Sequence, residues 1–328
     1  MKNFLITGGA GFIGSHLVES LIRAGNCVLV VDNFNDFYAP TIKKNNVKSM
    51  LSAFSSEEKE RFTLQEGDIR NSDFMESIFL TSNIDVVIHL AAMAGVRPSI
   101  EQPALYYDVN VNGTLCILEL MKKHNVKKMI FASSSSVYGN NKKVPFSEVD
   151  VVDEPISPYA ATKKAGELLC HTYHHLYDMS IACLRFFTVF GPRQRPDLAI
   201  HKFANKIMAG ESIPFYGDGS SKRDYTFVDD IIQGINASIK WISEPNSSYD
   251  VFNLGESKTI MLSEMLMAIE SSMGKKAMID SLPSQPGDVN ITYADISKAI
   301  KVLGYDPKVD FHKGVDRFIQ WHRIENEY

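Results

Sequence analysis

The chain has 328 residues, of which 45% are hydrophobic and 22% are charged, and its formal net charge is −5. This composition is typical of a globular protein with a sizeable core, and the acidic balance predicts no nucleic-acid partner. No apolar run approaches the length of a membrane span, and Met1 is followed almost at once by an apolar strand. We therefore expect no membrane association, no signal peptide and a cytoplasmic location. The four cysteines show no close pairing, so no disulfide framework is predicted.

A glycine-rich turn joins the first predicted strand, residues 3–7, to an amphipathic helix predicted over 15–24. The turn has Gly8, Gly11 and Gly14 at the spacing of a dinucleotide-binding fingerprint. Gly8 permits the tight turn, Gly11 lets the backbone approach a pyrophosphate, and Gly14 lets helix and strand pack closely. The phosphates would then lie at the helix N-terminus, where free N–H groups and the helix dipole favour negative charge.

The second predicted strand, residues 27–32, ends in Asp32. A carboxylate at this position accepts hydrogen bonds from the adenosine ribose hydroxyls and repels a 2′-phosphate. We therefore predict that the cofactor is NAD rather than NADP. The alternative, a glycine-rich turn in some other α/β domain, is disfavoured by this strand–helix–strand context.

Short apolar runs alternate with helical patterns through the first half of the chain, which predicts a parallel sheet with helices on both faces. The predicted strands are 3–7, 27–32, 62–67, 85–90, 128–133 and 181–187. Ligands of such sheets bind beyond the carboxyl ends of the strands. Each strand is in fact followed by a candidate site segment, and these begin at Gly8, Asp32, Asp68, Ala91, Ser134 and Thr188.

The pattern loosens after Gly191, which indicates a second, smaller part of the molecule. We predict an α/β fold: a Rossmann-type doubly wound parallel sheet with a smaller interleaved α/β substrate-binding lobe. Residues 1–190, with 226–258 returning to them, form the cofactor domain, and 191–328 form mainly the substrate lobe. The polar stretch 33–61 is predicted to be a surface excursion.

Tyr159 and Lys163 stand four residues apart after Pro158, at a predicted helix start, so they share one helix face. The positive charge of the lysine is expected to lower the pKa of the phenol, so that it can accept and return a proton near neutral pH. In isolation this pair is a common helix-surface pattern. Behind a cofactor motif and beside the hydroxyl of Ser134, it predicts the proton-transfer half of a hydride-transfer site.

These motifs together resemble the extended short-chain dehydrogenase/reductase family, in particular its nucleotide-sugar epimerases and dehydratases, over essentially the whole chain. Besides the glycines, Tyr159, Lys163 and Ser134, the matching segments are 68–69, 89–92, 110–114, 223–225 and 287–288. The run from Leu184 to Asp197 is most similar to UDP-glucuronate 4-epimerases within that family.

The resemblance implies three sets of site residues. The catalytic residues are Tyr159, Lys163 and Ser134. The NAD-binding residues are Gly8, Gly11, Phe12, Ile13, Gly14, Asp32, Asn33, Asp68, Ile69, Leu90, Ala91, Ala92, Asn110, Tyr159, Lys163 and Phe186. The residues implied to bind a UDP-sugar substrate are Arg97, Ser134, Ser135, Ser136, Tyr159, Thr188, Arg195, Tyr216, Arg223 and Asp288.

Two of these positions separate the reactions of the family. Sugar dehydratases carry an acid–base pair where this chain has Ser135 and Ser136, so the resemblance implies epimerisation without elimination. A uronic acid oxidised at C4 is a β-keto acid, and an epimerase must hold its carboxylate out of alignment with the carbonyl to prevent loss of carbon dioxide. The hydroxyls of Ser135, Ser136 and Thr188 are candidates for that task, with Arg195 or Arg193.

The resemblance thus implies an NAD-dependent isomerase, a UDP-glucuronate 4-epimerase. The alternatives are a UDP-glucose or UDP-N-acetylglucosamine 4-epimerase and, less favoured because Tyr159 and Lys163 are both present, a catalytically silent NAD-binding regulator. The cluster His171, His174 and His175 has the spacing of metal ligands but no accompanying carboxylate or cysteine, so no metal site is predicted. Members of the family commonly pair through two long helices, which implies a homodimer.

Overall fold

The computed structural model describes residues 1–245, 248–283 and 291–326. Its strands are β1 Asn3–Thr7, β2 Cys27–Asp32, β3 Phe62–Glu66, β4 Val86–His89, β5 Lys128–Ser134, β6 Ser180–Phe186, β7 Thr188–Phe190, β8 Ser212–Tyr216, β9 Lys222–Arg223, β10 Tyr225–Phe227, β11 Tyr249–Leu254, β12 Ile260–Met261 and β13 Met278–Leu282. Its α-helices are α1 Phe12–Arg23, α2 Pro40–Ala53, α3 Ser56–Glu60, α4 Ser72–Thr81, α5 Val96–Glu101, α6 Pro103–Tyr107, α7 Gly113–Lys123, α8 Pro158–Tyr177, α9 Ala199–Ala209, α10 Val228–Trp241, α11 Leu262–Met273, α12 Ser297–Leu303 and α13 Phe311–Asn326. A π-helical turn covers Asp108–Asn112 and a 3₁₀ turn covers Ser135–Tyr138.

A seven-stranded sheet in the order β11-β6-β5-β4-β1-β2-β3 forms the centre of the molecule, and all neighbouring strands are parallel. This confirms the predicted Rossmann-type fold, and the six strands predicted from the sequence agree with the observed strands to within one residue at each end. The chain reverses its direction of progress across the sheet between β1 and β4. A cleft therefore opens there, beyond the carboxyl ends of the strands.

Alternate residues of the buried strands supply two separate cores. Ile88 and Ile130 pack in the core that includes α1 and α10, whereas Val87 and Phe131 face the core formed with α7 and α8. Both faces of the sheet are thus covered by helices. This explains why the strands read as continuous apolar runs rather than as alternating polar and apolar residues.

The second half of the chain adds a smaller α/β arrangement beside the sheet. Strands β8 and β13 form a parallel pair, and α9, α11 and α13 pack near them. Residues 226–258 contribute α10 and the strand β11, which pairs with β6 in the central sheet. The exact division of the chain into a cofactor domain and a substrate lobe stays a prediction. Within the described ranges, no helix combines the length and the apolarity needed to cross a bilayer.

The prediction of a surface excursion over residues 33–61 is wrong, because this stretch forms α2 and α3. Lys43, Val47 and Met50 lie on one face of α2, and all three are buried. The helical spacing was hidden in the sequence because two buried positions of α2 are polar. Asn46 is buried because its amide donates to the Ala10 carbonyl at 3.0 Å, which ties α2 to the glycine-rich turn.

The packing of α2 leads to a prediction about stability. Replacing fully buried Met50 with alanine is expected to lower the free energy of unfolding by about 2–5 kcal/mol, because it removes apolar contacts and leaves a cavity. Lys48→Ala, on the exposed face of the same helix, is the matched control and should change stability by less than about 0.5 kcal/mol. Chemical denaturation measures both values. Equal effects of the two substitutions would mean that α2 does not pack on the core.

Candidate functional site

A cavity of about 500 Å³ lies beyond the carboxyl ends of β1, β2, β4, β5 and β6. It brings together most of the residues that the sequence predicted for the site. These are Gly8, Gly11, Phe12, Ile13, Gly14, Asp32, Asn33, Asp68, Ile69, Leu90, Ala91, Ala92, Ser134, Ser135, Ser136, Tyr159, Lys163, Phe186, Thr188 and Arg195. The segments that follow the strands therefore converge, as the parallel sheet requires.

The glycine-rich turn forms a cradle between β1 and α1. Gly8 has φ +75°, and a Cβ added to it would lie 2.8 Å from the Ala91 backbone nitrogen. A Cβ on Gly14 would lie only 2.3 Å from the Gly8 carbonyl oxygen. Gly11 is the N-cap of α1 and offers no side-chain cap to the first helical turn. Backbone N–H groups at a helix N-terminus that no side chain covers can bind the pyrophosphate of a dinucleotide.

Asp32 at the end of β2 lines the cavity in a buried position. Its carboxylate accepts hydrogen bonds from the backbone N–H groups of Ala10 and Phe34 at 3.2 and 2.9 Å. The Lys43 ammonium lies 3.4 Å from the same carboxylate and also lines the cavity. The sequence did not predict Lys43 as a site residue. Its only signal was the helical spacing of α2, which lies within the stretch 33–61 that was predicted to be a surface excursion.

Asp68 and Asn33 lie side by side at the ends of β3 and β2. The Asn33 amide donates to the Asp68 carboxylate at 3.1 Å, and the Arg70 guanidinium pairs with the same carboxylate at 2.8 Å. The hydrogen bonds from Arg70 lower the pKa of Asp68 to about 2, so this carboxylate is negative at all physiological pH values. At this point of the cavity rim, the ionised Asp68 carboxylate can accept hydrogen bonds but cannot donate one.

Tyr159 and Lys163 stand in the first two turns of α8, which the Ser157 side chain caps by accepting from the Ala160 N–H at 3.1 Å. The Lys163 ammonium donates to the Ala132 carbonyl at 2.7 Å and lies 6.0 Å from the centre of the Tyr159 ring. Ser134 ends β5 opposite this pair, and its hydroxyl accepts from the Ser136 N–H at 3.2 Å. The three predicted catalytic side chains therefore meet at one wall of the cavity.

The electrostatics of the tyrosine differ from the sequence-based expectation. Burial raises the pKa of Tyr159, while the hydrogen bond with Ser134 and the positive charge of Arg195 act in the opposite direction. The expectation that Lys163 lowers it is corrected, because the ammonium is directed to the Ala132 carbonyl. Burial also lowers the pKa of Lys163 to about 8, which leaves the ammonium mostly protonated at neutral pH.

Arg195 is the arginine that reaches the cavity. Its guanidinium forms a two-point ion pair with Asp197, at 3.0 and 2.8 Å, and lies over the Phe37 ring. Arg193 instead pairs with Glu19 of α1 at 2.6 Å. Of the two arginines that the sequence left open, only Arg195 therefore lines the cavity.

Asn110 does not line the cavity, although its neighbour Val109 does, and its assignment as an NAD-binding residue stays a prediction. It is buried within the π-helical turn, where its amide bonds both the N–H and the carbonyl of Met93, at 2.8 and 3.0 Å. The same amide donates to the Thr162 hydroxyl at 3.0 Å. Asn110 thus holds the loop after β4 against α8, and π-helical turns are frequent at such functional positions.

The remaining predicted substrate residues lie outside this cavity or outside the described ranges. The Arg97 guanidinium of α5 lies over the Tyr216 ring of β8, 5.5 Å from the ring centre. This contact joins the side of the central sheet to the smaller α/β arrangement. Arg223 lies in β9, which pairs with β12. Asp288 lies outside the described residues. Arg97, Tyr216 and Arg223 therefore lie outside the cavity wall, and their role in substrate binding stays a prediction.

The histidine cluster of α8 packs against an aromatic ring. His171 and His174 lie 5.0 and 6.2 Å from the ring of Tyr249. Among residues 1–245, 248–283 and 291–326, no group of three or more histidine, cysteine or carboxylate side chains is arranged to hold a metal ion.

Comparison with known proteins gives a consistent picture. The family model of GDP-mannose 4,6-dehydratase matches residues 5–318. The UDP-glucuronate 4-epimerase of Thermodesulfobacterium geofontis is 43% identical over 98% of this chain and 97% of its own length. The crystal structure of UDP-glucuronic acid 4-epimerase from Bacillus cereus in complex with UDP-glucuronic acid and NAD has a TM-score of 0.89 at 36% identity, covering 99% of this chain and 100% of that one. UDP-N-acetylglucosamine 4-epimerase from Methanobrevibacter ruminantium, in complex with UDP-N-acetylmuramic acid, has a TM-score of 0.87 at 32% identity and covers 99% of each chain.

The position of Asp32 yields a prediction about NAD binding. Asp32→Ala is expected to weaken NAD binding by roughly 10- to 100-fold, because each lost hydrogen bond to a charged acceptor costs about 1.5–3 kcal/mol. Asp36→Ala, an exposed acid on the same loop, is the matched control and should bind NAD as the wild type does. Titration calorimetry on cofactor-stripped protein measures both. Wild-type affinity in the Asp32 variant would refute the assignment of this carboxylate to the ribose.

Proposed function

The chain belongs to the GDP-mannose 4,6-dehydratase family of extended short-chain dehydrogenases/reductases, and from this we propose that it is an NAD-dependent 4-epimerase that interconverts UDP-glucuronate and UDP-galacturonate. The observation that carries the proposal is the meeting of Tyr159, Lys163 and Ser134 in one cavity with the glycine cradle. The neighbouring cavity positions carry hydroxyl side chains and one arginine. An elimination reaction would need an acid–base pair at these positions. Relatives named as UDP-glucuronate 4-epimerases support the same substrate.

The proposed chemistry divides between the cofactor and this chain's own side chains. NAD, held by the glycine cradle and Asp32, would supply the hydride acceptor and donor for C4 of the sugar. Tyr159 takes the proton of the C4 hydroxyl and gives it back, a general acid–base role. The Ser134 hydroxyl hydrogen-bonds the same oxygen and favours the ionised phenol. Lys163, held beside Tyr159 by its hydrogen bond to the Ala132 carbonyl, would contact the nicotinamide ribose when NAD is bound.

The substrate carboxylate is assigned to the hydroxyl-rich wall of the cavity. Ser135 and Ser136 belong to the 3₁₀ turn after β5, and Thr188 follows β6, so their hydroxyls can surround one carboxylate. The Arg195 guanidinium adds a positive charge, although Asp197 already occupies two of its donors. Neutral hydroxyls fix the carboxylate orientation without supplying an acid or a base. This arrangement favours epimerisation over decarboxylation of the β-keto acid.

Two alternative functions differ from the proposed one, the first in its substrate and the second in having no catalytic activity. Relatives at 32% identity are named for neutral sugars, such as the UDP-glucose 4-epimerase of Thermotoga maritima, and these would share the same proton-transfer residues. Arg97, Tyr216, Arg223 and Asp288 are proposed to contact the UDP part of either substrate. A catalytically silent NAD-binding regulator is disfavoured because Tyr159 and Lys163 lie in the cavity together.

We further propose that the protein acts as a cytoplasmic homodimer. Leu168 and Leu176 on α8 are 57% and 58% exposed, and Leu115 on α7 is 38% exposed. Apolar side chains on the outer faces of two long neighbouring helices fit a helix-to-helix contact between two copies.

Incubation of the purified protein with UDP-glucuronate, followed by chromatography, tests the proposed reaction. We expect UDP-galacturonate as product and a higher kcat/KM for UDP-glucuronate than for UDP-glucose or UDP-N-acetylglucosamine. Tyr159→Phe should lower kcat by roughly a hundred- to ten-thousand-fold, because only the phenol oxygen is lost, while NAD stays bound. Preference for a neutral sugar would overturn the substrate assignment, and a loss of less than about tenfold in the variant would mean that another group is the base.

Product fidelity provides a second, independent prediction. Thr188→Val, or Ser135→Ala combined with Ser136→Ala, removes hydrogen bonds to the carboxylate worth about 1.5–3 kcal/mol each. The carboxylate can then rotate into alignment with the C4 carbonyl, so carbon dioxide is lost and the ratio of UDP-4-keto-pentose to UDP-galacturonate should rise. Mass spectrometry of the reaction mixture measures this ratio.

Thr63→Val, an exposed threonine on β3, is the control for the threonine substitution and should leave the product ratio at the wild-type value. Slower variants that still make only the epimer would show that these hydroxyls bind the sugar without preventing decarboxylation.

A further inference from the structure

A buried ion pair lies next to the catalytic wall of the cavity and has no part in the proton transfer described above. The Arg185 guanidinium donates to both carboxylate oxygens of Glu167, at 2.8 and 2.8 Å. The side chains of Arg185 and Glu167 are only 2% and 1% exposed. Replacing such pairs by well-packed apolar residues is often neutral or stabilising, so stability alone does not explain two charges in this core.

The carboxylate of Glu167 ties together three elements that carry site residues. Glu167 lies one helical turn after Lys163 on α8, and Arg185 lies in β6, next to the cavity residue Phe186. The Ser133 hydroxyl of β5 donates to Glu167 at 2.6 Å, and Ser133 directly precedes Ser134. Ser133 and Arg185 are also paired in register across β5 and β6. One side chain therefore links α8, β5 and β6 at the level of the catalytic residues.

The distance between α8 and the sheet is set at the neighbouring residue. A Cβ added to Gly166 would lie 2.2 Å from the ring of Phe131, so helix and strand are in close contact here. The same ring lies 5.3 Å from the Lys163 ammonium. Close packing of Gly166 on the Phe131 ring fixes the distance between α8 and β5. It does not fix the rotation of α8 about its own axis, because the ring is flat. The two-point geometry of the guanidinium–carboxylate pair defines an orientation as well as a distance.

The guanidinium is itself held in place by aromatic packing. It lies 4.8 Å from the centre of the Tyr138 ring, whose hydroxyl donates to the Asn253 side chain at 2.7 Å. Tyr249 of β11 donates to the backbone carbonyl of Glu167 at 3.2 Å. The pair therefore rests on a connected polar network rather than on a single contact.

We propose that Glu167 and Arg185 are positioning residues that set the rotation of α8 against β5 and β6, and thereby align Tyr159 and Lys163 with Ser134. This inference rests on the proposed function, because it assigns the pair to the same proton-transfer site. Misplacement of reacting groups by about 1 Å costs roughly a hundredfold in rate, so a small rotation is enough to matter.

The decisive variant replaces both charges with apolar side chains, Glu167→Leu together with Arg185→Met. We expect its thermal unfolding midpoint to stay near the wild-type value, while kcat falls by roughly ten- to a hundredfold and KM changes less than about threefold. Retained NAD content confirms that the cofactor cradle is intact. Wild-type kcat in this variant would overturn the proposal, because the pair would then serve folding alone.

A milder variant keeps the proposal testable if the double variant does not fold. Ser133→Ala removes only the hydrogen bond to Glu167 and should lower kcat by roughly tenfold at unchanged KM and NAD content. Unchanged kcat in Ser133→Ala would likewise count against positioning. Glu211→Gln breaks the exposed Lys206–Glu211 pair and is the control, with wild-type kinetics expected. Absence of turnover in the wild type would refute the proposed function, whereas wild-type turnover with active variants refutes only the positioning role.

Discussion

The site depends on the contact between the carboxyl ends of β1 and β4, the two strands between which the sheet order reverses. There a Cβ on Gly8 would lie 2.8 Å from the Ala91 backbone nitrogen, so no side chain fits between the strand ends. The same bare backbone leaves the first turn of α1 open toward the cavity. Each of the other site segments follows a strand of the central sheet, and that strand places it around the contact between β1 and β4. The glycine-rich turn and the wall that carries Tyr159 and Lys163 thus share one cleft because they share one sheet edge.

Burial and charge act against each other in the catalytic wall. Burial alone raises the pKa of Tyr159, and it lowers the pKa of Lys163 to about 8. The Ser134 hydroxyl and the Arg195 guanidinium partly restore the acidity of the phenol. His89, also buried nearby, has its pKa lowered to about 3 by burial and by the Lys163 charge, so its ring stays neutral. In the wall that carries Tyr159, the positive charge therefore lies on Lys163 and Arg195.

Buried polar residues beyond the cavity serve to hold its walls. Asn110 bonds the loop after β4 to α8, and Glu167 bonds α8 to β5 and β6. Since an unpaired buried polar group is costly, arrangements that break these contacts are disfavoured. The result is a rigid frame around side chains that must meet within a fraction of an ångström.

The sequence by itself determined the central sheet, the glycine cradle and the tyrosine–lysine pair, because each depends on short-range periodicity and spacing. It missed α2 and Lys43, since polar residues on the buried face of that helix obscured the apolar pattern. Only the tertiary structure shows that Arg195 rather than Arg193 lines the cavity, and that Asn110 bonds the loop after β4 to α8. Contacts such as Glu167 with Arg185 join residues from different elements. No local pattern encodes them, because the partner of a buried charge is chosen by how the elements pack.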